Sequence, residues 1–133
     1  MITLNLLKYL EQNGFGTIDN DLLWEKLALG NDGVYILSLG DSTERGARRS
    51  CRYELYSRSK NSDVAGRKKL EEIVSFLNSS YEACTLPEVK SPQGTVIAPE
   101  VKNVTIMPLS TIANNGLDAN NRIIWTANGQ IYY

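Results

Sequence analysis

The sequence predicts an α+β fold: a mixed or antiparallel β-sheet of about five strands, two α-helices packed on one of its faces, and a long proline-containing loop. Three observations carry this. Apolar residues recur at helical spacing in two separate segments, near the start and in the middle. Segments of alternating polarity, rich in β-branched and aromatic residues, lie between and after them. The prolines crowd into one stretch between Tyr81 and Val101, where Pro87, Pro92 and Pro99 are three of the chain's four. At 133 residues, 42% of them hydrophobic, the chain suits a single domain, 1–133, with a modest core of its own.

In chain order, Ile2 to Asn13 reads as a helix. Ile2, Leu6, Leu7 and Leu10 share one face, and Asn13-Gly14 suits its stop because glycine adopts the left-handed C′ conformation without strain. Leu22–Leu27 and Val34–Leu39 flank Asp32-Gly33, a strong hairpin-turn signal, and are expected to form a β-hairpin. Gly40–Gly46 is a polar link. The next strand places Cys51, Tyr53, Leu55 and Ser57 on a core face, and Arg52, Glu54, Tyr56 and Arg58 on an exposed one. Asp63 to Asn78 is a helix with Leu70, Ile73, Val74 and Leu77 on its inner face and Ser62 or Asp63 as the cap. Residues 81–101 read as an extended arm that orders only against a partner. Val104 to Ile112 is a strand interrupted by Pro108. Asn114–Asn121, NNGLDANN, turns the chain into a last strand at Arg122–Thr126, and Gly129–Tyr133 continues it or folds back.

Composition narrows function. The chain has no histidine, the usual general base and the commonest transition-metal ligand. Cys51 and Cys84 stand 33 positions apart, too few and too distant for a zinc site or a disulfide framework, and read as buried or half-buried small hydrophobes. No phosphate-loop, dinucleotide or nucleophile-elbow motif is present. The expectation is a protein that is not an enzyme and has no catalytic residues, no cofactor and no metal. No apolar run is long enough for a membrane helix, and the N-terminus lacks the basic start and cleavage site of a signal peptide. A cytoplasmic origin without membrane contact is therefore expected.

Charge is unevenly placed. Glu44–Lys69 holds nine basic and three acidic residues, a balance of +6, while the rest holds five and twelve, a balance of −7. Five arginines, Arg45, Arg48, Arg49, Arg52 and Arg58, fall within one short stretch. Such a segment on an acidic body suggests complementary surfaces, and these five are the candidate contact residues. Arginines interleaved with Tyr53 and Tyr56 also fit a nucleic-acid-binding module, although Glu54 and the net charge of −1 speak against it.

The ordered set RGARR with YELYSR, DVAG leading into LEEIVSFL, CTLP, NVTIMPLSTI and a closing RIIWTANGQIYY resembles the minor capsid proteins of tailed bacteriophages. It is similar in particular to the tail terminators of long-tailed phages. The resemblance spans nearly the whole chain. It implies a structural protein of the virion, at the head-proximal end of the tail, made in the host cytoplasm. It also implies self-association into a hexameric ring that caps the major tail tube protein and offers a docking face to head-completion proteins, with no cofactor. A neighbouring head-closure or connector role, and non-specific contact with exiting DNA, are the alternatives it leaves.

Overall fold

A computed structural model of the chain describes residues 2–24, 32–43, 48–60, 64–79, 83–107 and 109–133. Helix α1 spans Ile2–Gln12, with Ile2, Leu6, Leu7 and Leu10 buried as their spacing predicts. Thr3, Leu4 and Asn5 are buried as well, so the helix is covered over more than its apolar stripe. It ends as expected. Gly14 sits at φ 84°, its N–H donates to the Glu11 carbonyl, and the Phe15 N–H reaches back to Leu10, both at 3.1 Å.

Strand β1 (Leu22–Trp24) does not form a hairpin with β2 (Gly33–Thr43). The two are parallel, with Leu22 beside Val34 and Trp24 beside Ile36. The misread signal is Asp32-Gly33. A two-residue hairpin turn needs positive φ at its glycine, and Gly33 is not among the positive-φ glycines. Gly33 instead opens β2, where a Cβ would lie 2.8 Å from the Asp21 carbonyl oxygen. That close approach lets the Val34 N–H donate to Asp21 at 2.8 Å. Glu25–Leu27, the rest of the expected first strand, lie outside the described residues. The expected link at Gly40–Gly46 is corrected over 40–43, because β2 continues to Thr43 opposite Arg49, and 44–46 lie outside the described residues.

Strand β3 (Arg49–Ser59) is the centre of the sheet. It is antiparallel to β2 on one side and to β9 (Ile123–Tyr132) on the other, with ten residue pairs from Ser50–Tyr132 to Ser59–Ile123. Helix α2 (Ala65–Ser79) follows, and its inward residues Leu70, Ile73 and Leu77 are fully buried. Ser62 and Asp63, the expected cap, lie outside the described residues. The remaining strands are β4 (Cys84–Leu86), β5 (Val89–Lys90), β6 (Val96–Ala98), β7 (Val101–Ile106) and β8 (Ala113–Leu117). The main sheet has seven strands in the order β1-β2-β3-β9-β7-β4, with β8 also on β9, and β5–β6 form a separate pair. The expectation of about five strands was low because the short edge strands are too brief to show a period. Both helices pack into one cluster with Val34, Ile36, Tyr53, Leu55, Ala127 and Ile131, alternate positions that share one face of the sheet.

Two more expectations change. The arm at 81–101 carries β4, β5 and β6, and Val89 and Ala98 are buried against Leu4 of α1. Buried Asn5 fixes the segment, donating from Nδ2 to the carbonyls of both Pro87 and Pro99 at 2.9 Å. Prolines lack donors but keep their acceptors, so a proline-rich stretch can still be held through its carbonyls. Tyr81 lies outside the described residues. Near the C-terminus, Ser110 and Ile112 lie outside any strand, and the first part of NNGLDANN is β8. The turn is confined to Asp118–Asn121, where the Asn121 N–H donates to Asp118 at 3.1 Å. β9 then runs unbroken through both expected final segments.

Candidate interaction surface

The alternation along β3 sorts its side chains as predicted on the helix side: Cys51, Tyr53, Leu55 and Ser57 are all buried. Burial pushes the Cys51 thiol up to about 11, far from thiolate reactivity. The arginines stand at two unlike ends of the strand, Arg52 and Arg58 on the opposite face and Arg49, two residues before Cys51, on the helix side, where its neighbour Tyr133 packs against the core.

At one end Arg58 is only 5% exposed, which corrects its expected place on an exposed face. Its guanidinium lies 5.1 Å from the centre of the Tyr35 ring, and Nε is 3.3 Å from Asp118 Oδ2. Arg122, equally buried, donates from Nε to Asp32 Oδ1 at 2.9 Å. Asp118 Oδ1 accepts from the N–H groups of Asn120 and Arg122 at 2.8 and 2.9 Å. The Arg122 N–H first, then that of Asn120 and the two guanidinium charges, hold this carboxyl below the ordinary carboxylate range. The cluster therefore clamps the turn before β9 and the start of β2 over Tyr35.

At the other end stand Arg48, Arg49 and Arg52, all exposed. Arg48 lies over the Tyr132 ring at 5.7 Å and donates to Thr105 Oγ1 at 2.8 Å. Arg49 lies over Tyr133 at 5.1 Å, where two backbone hydrogen bonds of 2.8 and 2.9 Å tie the two residues together. None of the three arginines makes an ion pair among the described residues, while Arg58, Arg67 and Arg122 each make one. One carboxylate shares this end, Asp41, beside Cys51 and Tyr133, while Glu54, whose hydrogen bond pushes the Tyr56 hydroxyl up to about 12, stands at the middle of the strand. The basic segment of the sequence is thus divided in space. Arg48, Arg49 and Arg52 come together at one end of β3, Arg58 is buried at the other, and Arg67 pairs with Glu71 on α2 at 2.8 Å. Arg45 lies outside the described residues.

The sequence reading missed Tyr132 and Tyr133 as seats for the arginines, and Asp32, Asp118 and Arg122 as the clamp around Arg58. The terminal tyrosine pair was the available signal for the first. The clamp joins residues 90 positions apart and left none.

A hollow of about 290 Å³ lies where β2 begins and β3 ends, lined by Asp21, Asp32, Ser57, Arg58 and Lys69. Ser57 Oγ donates to the Gly66 carbonyl at 2.7 Å, so this hydroxyl braces α2. Among the described residues, no three His, Cys, Asp or Glu side chains converge as a metal site would require. No helix of the described residues is long and apolar enough to cross a membrane. Neither a protein-family model nor a curated protein matches this sequence.

Proposed function

We propose that the chain is a tail terminator of a long-tailed phage, a structural ring protein that caps the tail tube and provides a docking face for head-completion proteins. The observation that supports this best is the arginine end of β3. Three arginines share one end of a sheet without an ion pair among the described residues, two of them seated on tyrosine rings. Stacking on a ring restricts a long side chain and leaves its planar fork to grip a carboxylate of another subunit or of the tube protein. The protein works by assembly, with no reaction of its own. Its partners are other copies in a hexameric ring, the major tail tube protein and a head-completion protein.

A second reading is contact with exiting DNA. The same forks suit phosphates, and no base-specific contact would be needed. The test is electron microscopy of phage tails assembled without the protein. Overlong or headless tails are expected, and tails of normal length joined to heads would refute the terminator role. Salt dependence separates the second reading, since a DNA contact weakens with a slope of about −0.9 per phosphate engaged.

A further inference from the structure

We infer that the ring is closed by edge-to-edge strand pairing, with β2 of one copy, at Leu39–Thr43, adding to β8 of the next. This inference rests on the ring reading above. β1 covers β2 only from Val34 to Ile36, and among the described residues no strand pairs with Leu39–Thr43 on its outer side. Among the described residues, β8 pairs with β9 on one side and with no strand on the other. Unpaired edges of this kind are templates for another chain, and natural sheets usually blunt them with lysine or proline. Neither Leu39–Thr43 nor Ala113–Leu117 contains a lysine, arginine or proline; Asp41 is the one charge in the two runs, and each strand has one register shift. Each instead exposes a leucine, Leu39 at 48% and Leu117 at 63%. The first stands at the register shift between Ser38 and Gly40.

Strand direction names the occupant as a second copy. β2 is antiparallel to β3, and both β3 and β8 are antiparallel to β9. β8 therefore runs against β2, and a cyclic axis inclined to the strands by less than a right angle keeps this sense and brings the two together as an antiparallel pair. That is the more stable arrangement per residue. β4, on the far side of β7, runs the same way as β2 and would give a parallel seam. The open run of β2 lies level with the Gln130 end of β9, whereas β8 lies at its Ile123 end. Neighbours are accordingly staggered, with strands inclined to the axis as in closed barrels, about 35–45°. Two different edges of one subunit make a heterologous contact, which closes into a ring when the rotation between neighbours divides a full turn. The arginines flank the seam, since Arg52 is opposite Gly40 and Arg49 opposite Thr43.

The test uses the single variants Leu39→Lys and Leu117→Lys, followed by sedimentation and native mass spectrometry. Both positions are exposed, so melting temperatures should match the wild type. Each variant alone should lose rings, and an equimolar mixture should give dimers but no rings, because only one sound edge of each kind remains. Rings from either variant alone would overturn the pairing while leaving the terminator reading intact. Loss of assembly in Leu39→Lys only would indicate a symmetric β2–β2 contact and would also overturn it. Wild-type protein that stays monomeric, with tails of normal length in its absence, would instead refute the ring reading.

Discussion

Tyr53 shows how one residue sets the tightness of this core. It is fully buried at the centre of the sheet, and its hydroxyl has no hydrogen-bond partner among the described residues. Burial, with a lesser push from Cys51, raises that hydroxyl well above its ordinary value. Removing an unsatisfied buried hydroxyl recovers desolvation free energy, so Tyr53→Phe should raise stability by up to about 1 kcal/mol in denaturant unfolding. The same ring explains Gly129, where a Cβ would stand 2.5 Å from the Tyr53 hydroxyl and ring. Gly129→Ala should cost about 1–3 kcal/mol by overpacking, and an unchanged midpoint would show that the ring can move aside. Asp118 gives the pH response. Its carboxyl is held below the ordinary range, so its contribution is fully present above the unfolded value and is lost as pH falls through the folded one. Asp118→Asn keeps an acceptor for the turn but removes the charge facing Arg58. It should lower the melting temperature at neutral pH and flatten the fall of melting temperature on the acid side.

At the scale of elements, the features legible in the sequence were those with a local period. The stripes of α1 and α2 and the alternation of Cys51, Tyr53, Leu55 and Ser57 each follow from the spacing of neighbours in the chain. What could not be read were relations between distant residues. Nothing near Leu22 says that it lies parallel to Val34. Nothing near Pro87 says that its carbonyl meets Asn5, 82 residues away. Propensity was also overridden by packing: Asn114–Leu117 has turn composition yet forms β8 because β9 offers it an edge. Likewise, the candidate surface was legible as an arginine cluster but not in its division, because the buried state of Arg58 depends on Asp118 and Tyr35. The Asn5 clamp is testable. Asn5→Ala removes two hydrogen bonds and leaves two carbonyls without their donor, a loss of about 2–3 kcal/mol. Amide exchange should rise across residues 87–99 first, since the β5–β6 pair has little else than Leu4 and Trp24 beneath it. Uniform acceleration across the whole chain would show that the clamp supports global stability rather than this segment.

At the scale of the whole molecule, the structure changes what the charge partition means. Within the basic run Arg58 and Arg67 pair with carboxylates of the same subunit, while Arg48, Arg49 and Arg52 gather at the end where β3 starts and β9 finishes. An arginine side chain held over a tyrosine is already ordered before a partner arrives, which lowers the entropy lost on docking. Such contacts govern orientation and encounter rate more than raw affinity. Arg48→Glu with Arg49→Glu should therefore do two separable things. Stability should fall by about 1–2 kcal/mol, because two exposed cation–π contacts of about 0.5–1 kcal/mol each are removed. Ring formation and tail capping should fail far more severely, because the reversed charges now repel the same carboxylates. Arg48→Lys with Arg49→Lys keeps the charge while losing the planar fork. It should recover encounter, with assembly that is weaker and more sensitive to salt. Light scattering and electron microscopy of the two double variants decide the matter. Normal rings and normally capped tails from the glutamate variant would remove the arginines from the interface. Normal rings combined with lost, salt-sensitive DNA binding would place them in the lumen, facing the exiting strand.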